Sequence, residues 1–253
     1  MTMESGRRAA SKERAQALER GLAVLAFLNR HGTATNGQVA AGTGLTRSTA
    51  HRLLNVLVDL DLLHHDRRNQ QYSLTSRVRE LGAACRDEPW IMLAAAPAMT
   101  EWTRRYRWPL LLLTPMADGA IVRVSTDHEA PMSADHFVAG QYIPVASRIV
   151  WLLRAAFAPG PGEGPGALRV ASAADRAEIA SARKRGHAAS PTACFRGARI
   201  GVPLETSGRE PAFLVMRCLP AMAEEVEERS LWAVRLQQLA AQITLEAARH
   251  GRG

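Results

Sequence analysis

Cysteine is scarce in this chain of 253 residues, and the three present, Cys85, Cys194 and Cys218, are scattered and odd in number. None has the Cys-x-x-Cys or Cys/His spacing of a zinc site, so reduced thiols and no metal are expected. No run of about 18 uncharged apolar residues occurs, which excludes a typical membrane-spanning helix. The opening stretch "MTMESGRRAASKERAQ" lacks the apolar middle of a signal peptide. A soluble, cytoplasmic protein with no membrane partner is therefore expected. Solenoid repeats are absent as well. What is abundant is apolar content, 47%, enough to fill a core in one large domain or two ordinary ones. Positive charge is also in excess, formally +8 and nearly all arginine, which favours an anionic partner.

Residues 1–15 read as a flexible basic arm carrying Arg7, Arg8, Lys12 and Arg14. The segment "QALERGLAVLAFLNRHG" then places Leu18, Leu22, Leu25 and Leu28 on one helical stripe that Gly32 terminates. A short helix fits "NGQVAAGTG", with Asn36 as its cap. Thr46 is a natural cap for a third helix, and "DLLHHDRRNQQYSLT" reads as two short strands around a polar turn. Three short helices and a hairpin over residues 16–75 make a winged helix-turn-helix. A linker helix is expected over 76–89, with "RDEPW" at the junction. From residue 90 to 253 helix and strand signals alternate, interrupted by the loop "APGPGEGPG" and closed by a long amphipathic helix from about Ala223 to Ala248.

The third helix carries the clearest chemistry. From Thr46, the residues Ala50, Leu53, Leu54 and Leu57 fall on one side, and Ser48, His51, Arg52 and Asn55 fall opposite. In isolation this is an ordinary solvated helix face. Between a preceding helix and a following wing it is a reading head, with Arg47, Ser48, Thr49, His51 and Arg52 in reach of base edges or phosphates. Arg67 and Arg68 at the hairpin tip suit phosphate or narrow minor-groove contact, or are solvated turn residues.

The run "ALERGLAVL", then "GLTRSTAHRLLNVL", then a wing ending "YSLT", resembles the DNA-binding domain of the isocitrate lyase regulator (IclR) family of bacterial transcription factors. The second domain is similar to the family's ligand-sensing fold, of GAF or PAS type with a mixed sheet. There "GARIGVPLETSGREPAFLVMRCL" looks like a pair of sheet strands, and "GQYIPVASRIVWLLRAAF" like the pocket-side segment. Ser147-Arg148-Ile149-Val150 stands where the family usually has a small, Gly-containing stretch. "RWPLLLLTPMADGAIVRVST" looks closest to the branch that senses aromatic acids such as hydroxyphenylpropionates. The resemblance implies an α+β chain and a homodimer or homotetramer on a palindromic double-stranded operator. It implies a small carboxylate or aromatic effector, with RNA polymerase as a further candidate partner and no cofactor.

Four residues are candidates for the effector site. Met216 and Cys218 align with the family's small polar pocket residues and would either soften the pocket for an aromatic ligand or fill core. Arg199 could hold an effector carboxylate, pair with an internal acid, or sit in solvent. Ser147 is a candidate hydrogen-bond donor. His64, His65, His128, Glu129 and His136 lack a repeatable metal-ligand spacing and read as surface or loop residues. An alternative function must also be weighed, a small-molecule enzyme using Cys194 as nucleophile and His187 as base beside a nucleic-acid-binding module. No Gly-rich oxyanion motif accompanies that pair, so catalysis is not expected.

Overall fold

The computed structural model describes residues 2–84, 88–116, 118–131, 136–158, 172–190, 198–205 and 211–250, the side chains of 2–14 and 250 excepted. The chain divides into two units, Met1–Arg86 and Asp87–Gly253. The architecture is α+β, a helix-turn-helix unit followed by a sheet flanked by helices. Cys85, Cys194 and the "APGPGEGPG" loop after its first residue, Ala158, lie outside the described residues.

Helix α1 runs Thr2–His31. It starts within the stretch expected as an arm, whose Ala, Arg, Lys and Glu residues are good helix formers with no proline among them. Strand β1 (Thr33–Thr35) leads into α2 (Asn36–Thr43). The cap of α2 is Thr35 rather than Asn36, because Thr35 and Gln38 cap each other reciprocally, Thr35 N–H donating to Gln38 Oε1 at 2.8 Å. Asn36 instead donates to the Arg47 carbonyl at 3.3 Å, tying α2 to the next helix. Gly44 turns the chain at φ 69°, a left-handed conformation suited to glycine. Thr46 then caps α3 (Arg47–Asp59), its hydroxyl oxygen accepting from Thr49 N–H at 3.3 Å.

Strands β2 (Leu63–Asp66) and β3 (Gln71–Leu74) form the hairpin, and β1 joins on the far side of β3 to give the order β1-β3-β2. Val24 and Leu28 of α1, Val39 and Ala40 of α2, Ala50, Leu54 and Leu57 of α3, and Leu63 and Tyr72 of the hairpin make one core. A fully buried leucine contributes about 1.5–3 kcal/mol. The expected stripe on α1 is only partly used. Leu28 is buried, whereas Leu18 and Leu22 are 65% and 55% exposed. The short helices α2 and α3 cover only the last turns of α1, so its earlier leucines border an open groove. Following the wing, Val78–Leu81 forms the short helix α4.

In the second unit a π-helical turn, Ile91–Ala95, runs into α5 (Ala96–Tyr106). Strands β4 (Leu110–Met116), β5 (Gly119–Ser125), β6 (Tyr142–Pro144), β7 (Ala188–Ser190), β8 (Ala198–Leu204) and β9 (Ala212–Cys218) form one sheet of order β6-β5-β4-β9-β8-β7. Every pairing among the described residues is antiparallel, whereas the resemblance implied a mixed sheet. Helices α6 (Arg148–Phe157) and α7 (Ala173–Arg185) cover one face. Helix α5, the short α8 (Pro220–Glu224) and the long α9 (Val226–His250) cover the other.

Strand β9 is buried along its whole length, which is why it reads as a nearly unbroken apolar run. Alternation divides its side chains between the faces. Leu214, Met216 and Cys218 pack with the α5/α9 core, and Phe213 and Val215 with the α6/α7 core. On β8, Gly201 faces α6 so closely that an added Cβ would stand 2.8 Å from Leu153 Cδ1.

Candidate functional site

In the first unit α3 has three faces. Ala50, Leu54 and Leu57 are buried. Arg47, Ser48, His51 and Asn55 are exposed and lie together, with Asn55 Nδ2 3.4 Å from His51 Nδ1. Thr49, Arg52, Leu53, Val56 and Leu60 turn instead toward the groove against α1. The five residues read from the sequence as one reading head are thus split. Arg47, Ser48 and His51 form the outward edge, and Arg52 and Thr49 sit on its flank. The hydroxyls of Ser48 and Thr49 lie 3.1 and 2.9 Å from Thr46 Oγ1, so both also serve the helix cap.

The wing tip is built by Asp66. Its Oδ1 accepts from Arg68 N–H at 2.9 Å and its Oδ2 from Asn69 Nδ2 at 2.8 Å. The Arg68 backbone bond is the main reason its carboxyl lies below the ordinary aspartate value. This turn leaves the side chains of Arg67 and Arg68 exposed. His65 stacks on Tyr72 at 4.2 Å between ring centroids, a packing role in the hairpin.

The groove on the other flank of α3 has a volume of about 610 Å³. Leu18, Leu22, Val56, Leu60 and Leu81 line it and are all about half exposed or more. An apolar surface of this kind marks an interaction site more often than an accident of folding.

In the second unit the α6-facing side of the sheet carries a row of buried polar residues. Ser190 on β7 stands opposite Arg199 on β8, which stands opposite Arg217 on β9. All three are at least nine-tenths buried. Arg217 pairs with Asp127, which also accepts from Phe137 N–H at 2.6 Å, and the guanidinium lies 5.0 Å from the Phe137 ring centroid. A buried guanidinium needs partners of this kind, because desolvating an unpaired charge costs several kcal/mol. Ser147, also buried, occupies the cap position of α6 without making a side-chain capping bond. His187, just before β7, is buried with Nδ1 3.3 Å from the Arg185 carbonyl, and burial pushes its pKa down. Its Nε2 has no hydrogen-bond partner among the described residues.

Arg199 therefore belongs to a cationic row, but Met216 and Cys218 do not share its face. They sit opposite Ile200 and Ala198 in the register and pack beneath α5 and α9. A pocket combining them with Arg199 is excluded by strand alternation. Burial raises the Cys218 thiol to about 12, so it behaves as a small core hydrophobe. Asp127, Arg217 and Ser190 were not anticipated. The parity of β9 marks Arg217, but nothing local ties it to Asp127.

Glu129 is held by Arg104 through two bonds of 3.0 and 3.1 Å, and among the described residues no three His, Cys, Asp or Glu side chains cluster.

Residues 17–67 match the model of the IclR helix-turn-helix domain. The chain is similar in fold to an IclR-family transcriptional regulator from Brucella abortus, with TM-score 0.69 and 19% identity over 90% of this chain and 91% of that one. An IclR homologue from Microbacterium hydrocarbonoxydans, solved in complex with 4-hydroxybenzoate, matches with TM-score 0.60 and 23% identity over 92% and 99%. A third regulator, from Alicyclobacillus acidocaldarius, matches with TM-score 0.60 and 18% identity over 92% and 98%.

Proposed function

We propose that the chain, whose residues 17–67 match the IclR helix-turn-helix model and whose fold is similar to that of IclR-family regulators, is a DNA-binding transcriptional regulator that reads a palindromic operator as a homodimer or homotetramer. The observation that carries this reading is the outward edge of α3, where Arg47, Ser48 and His51 stand exposed at a capped helix N-terminus in the same unit as an arginine-tipped wing. Such an edge suits the major groove, the helix N-terminus and the wing arginines favour phosphate, and the basic excess of the chain adds long-range attraction. Arg52, on the flank, suits a backbone phosphate better than a base edge. The apolar groove between α1 and α3 is a surface that a second copy would cover.

The effector is a small organic acid, with an aromatic acid favoured. The row of Ser190, Arg199 and Arg217 offers guanidinium groups for a carboxylate, and Phe137 and the apolar α6 face offer packing for a ring. The regulator from Microbacterium hydrocarbonoxydans, with the same fold, binds 4-hydroxybenzoate, which supports the aromatic reading. Such a ligand acts by preferring one arrangement of the DNA-binding units, and typical coupling is about 1–3 kcal/mol. The enzyme reading has no observation in its favour. The test is a thermal-shift panel of aromatic and short aliphatic acids, followed by operator titration with each stabilising acid. An acid that raises Tm and changes operator affinity supports the reading, and a panel with no stabilising member contradicts it.

A further inference from the structure

A cleft between α5 and α9 collects cations and aromatic rings that neither proposed site uses. Glu101, Arg105, Tyr106, Arg235, Gln238 and Gln242 are among its lining residues, and its volume is about 220 Å³. The Arg235 guanidinium carbon lies 5.0 Å from the centroid of the Tyr106 ring and 4.5 Å from that of Trp232. The Arg105 guanidinium carbon lies 5.3 Å from the same Tyr106 centroid. Sharing one ring, the two cations are at most about 10 Å apart. Tyr106 is itself held by Trp102 at 4.8 Å and Trp232 at 5.8 Å between centroids.

Stacking fixes the plane of a guanidinium without using its N–H groups, which keeps the donors available and lowers the entropy lost on binding. Neither Arg105 nor Arg235 makes an ion pair or hydrogen bond among the described residues, and Glu101 on the rim neutralises neither. Both guanidiniums line the same cleft, and an oxyanion held between two like charges lowers their mutual repulsion. The cleft lies on the α5/α9 side of the sheet, away from the Arg199 row.

We propose that this cleft binds a small oxyanion, a phosphate or carboxylate group, bridged by Arg105 and Arg235 with the Gln238 amide as a further donor. The volume suits inorganic phosphate or a short dicarboxylate rather than a nucleotide. Occupation joins α5 to α9, the two helices that carry much of the core on that face.

The test is isothermal titration of the full chain with inorganic phosphate and, separately, with succinate, at ionic strength held constant with chloride. Saturable binding near one site per chain is expected for at least one of the two, and which one responds identifies the phosphoryl or the carboxylate source. Arg105→Gln with Arg235→Gln should weaken it by about tenfold or more, since a charge-assisted bidentate contact is lost on each side. Arg105 is exposed, so Arg105→Gln alone provides a variant whose fold is not at risk and should weaken binding in the same direction. Glu101→Gln should tighten binding. No saturable binding of either anion, or binding undiminished in Arg105→Gln and in the double variant, overturns the proposal.

Discussion

Arg217 and Asp127, ninety residues apart in sequence, form an ion pair inside the second unit, with side-chain exposures of 7% and 2%. Breaking a buried pair by removing one partner is costly, whereas replacing both is often tolerated. Asp127→Ala should therefore destabilise the protein by about 3–5 kcal/mol, while Asp127→Leu with Arg217→Met should recover much of that loss. Chemical denaturation of the three proteins checks this, and additive losses in the double variant contradict it.

Arg199, in the same buried row, is predicted to contact the carboxylate of the effector. Arg199→Ala should weaken a stabilising acid by about tenfold or more, the loss of a charge-assisted contact. The parallel replacement Met216→Leu should leave ligand affinity unchanged, because Met216 faces the α5/α9 core and conserves volume. Titration of both variants with an acid identified by thermal shift makes the comparison.

At the wing tip, Arg67→Ala with Arg68→Ala should weaken operator and random DNA alike and reduce the salt dependence, since backbone contacts carry little sequence information. Anisotropy titrations on both DNAs at several salt concentrations measure this. Lost discrimination with an unchanged salt slope would show the wing to be a base reader.

His187 predicts a pH effect. Burial, with Arg185 and Arg229 nearby, lowers its pKa below the ordinary 6.5. The unfolded chain then takes up the proton first as pH falls, so the contribution of His187 to stability is complete above about 6.5 and declines from there toward its folded value. The slope is at most about 1.4 kcal/mol per pH unit for one such group. Denaturation midpoints measured from pH 8 to pH 5 should fall below about pH 6.5, and His187→Phe should flatten that portion of the profile.

The helix-turn-helix was legible because its signals are local. Thr46 caps, the stripe of Ala50, Leu54 and Leu57 repeats at helical spacing, and Gly44 supplies the turn. The Thr35 cap was missed by one residue, since Asn36 is an equally good cap by type and only its bond to the Arg47 carbonyl shows that it is engaged elsewhere. Strand alternation was readable on β9, yet which face met α6 and which met α9 depends on contacts far along the chain. The four effector-site candidates therefore could not be sorted by face, and Met216 and Cys218 lie on the other face from Arg199. Asp127 could not be anticipated, because its partner lies on a strand that only the sheet order brings near.

Operator affinity of the outward edge of α3 tests the central claim most directly. The measurement is a fluorescence-anisotropy titration of an operator selected from randomised DNA with the wild-type chain, using the wild-type chain and Arg47→Ala and His51→Ala. Each variant should lose about 1–3 kcal/mol of specific binding while keeping its affinity for random DNA within a few-fold. Both residues are exposed, so neither change should disturb the fold. Equal affinity of all three proteins for the operator would contradict the assignment of α3 as the reading helix.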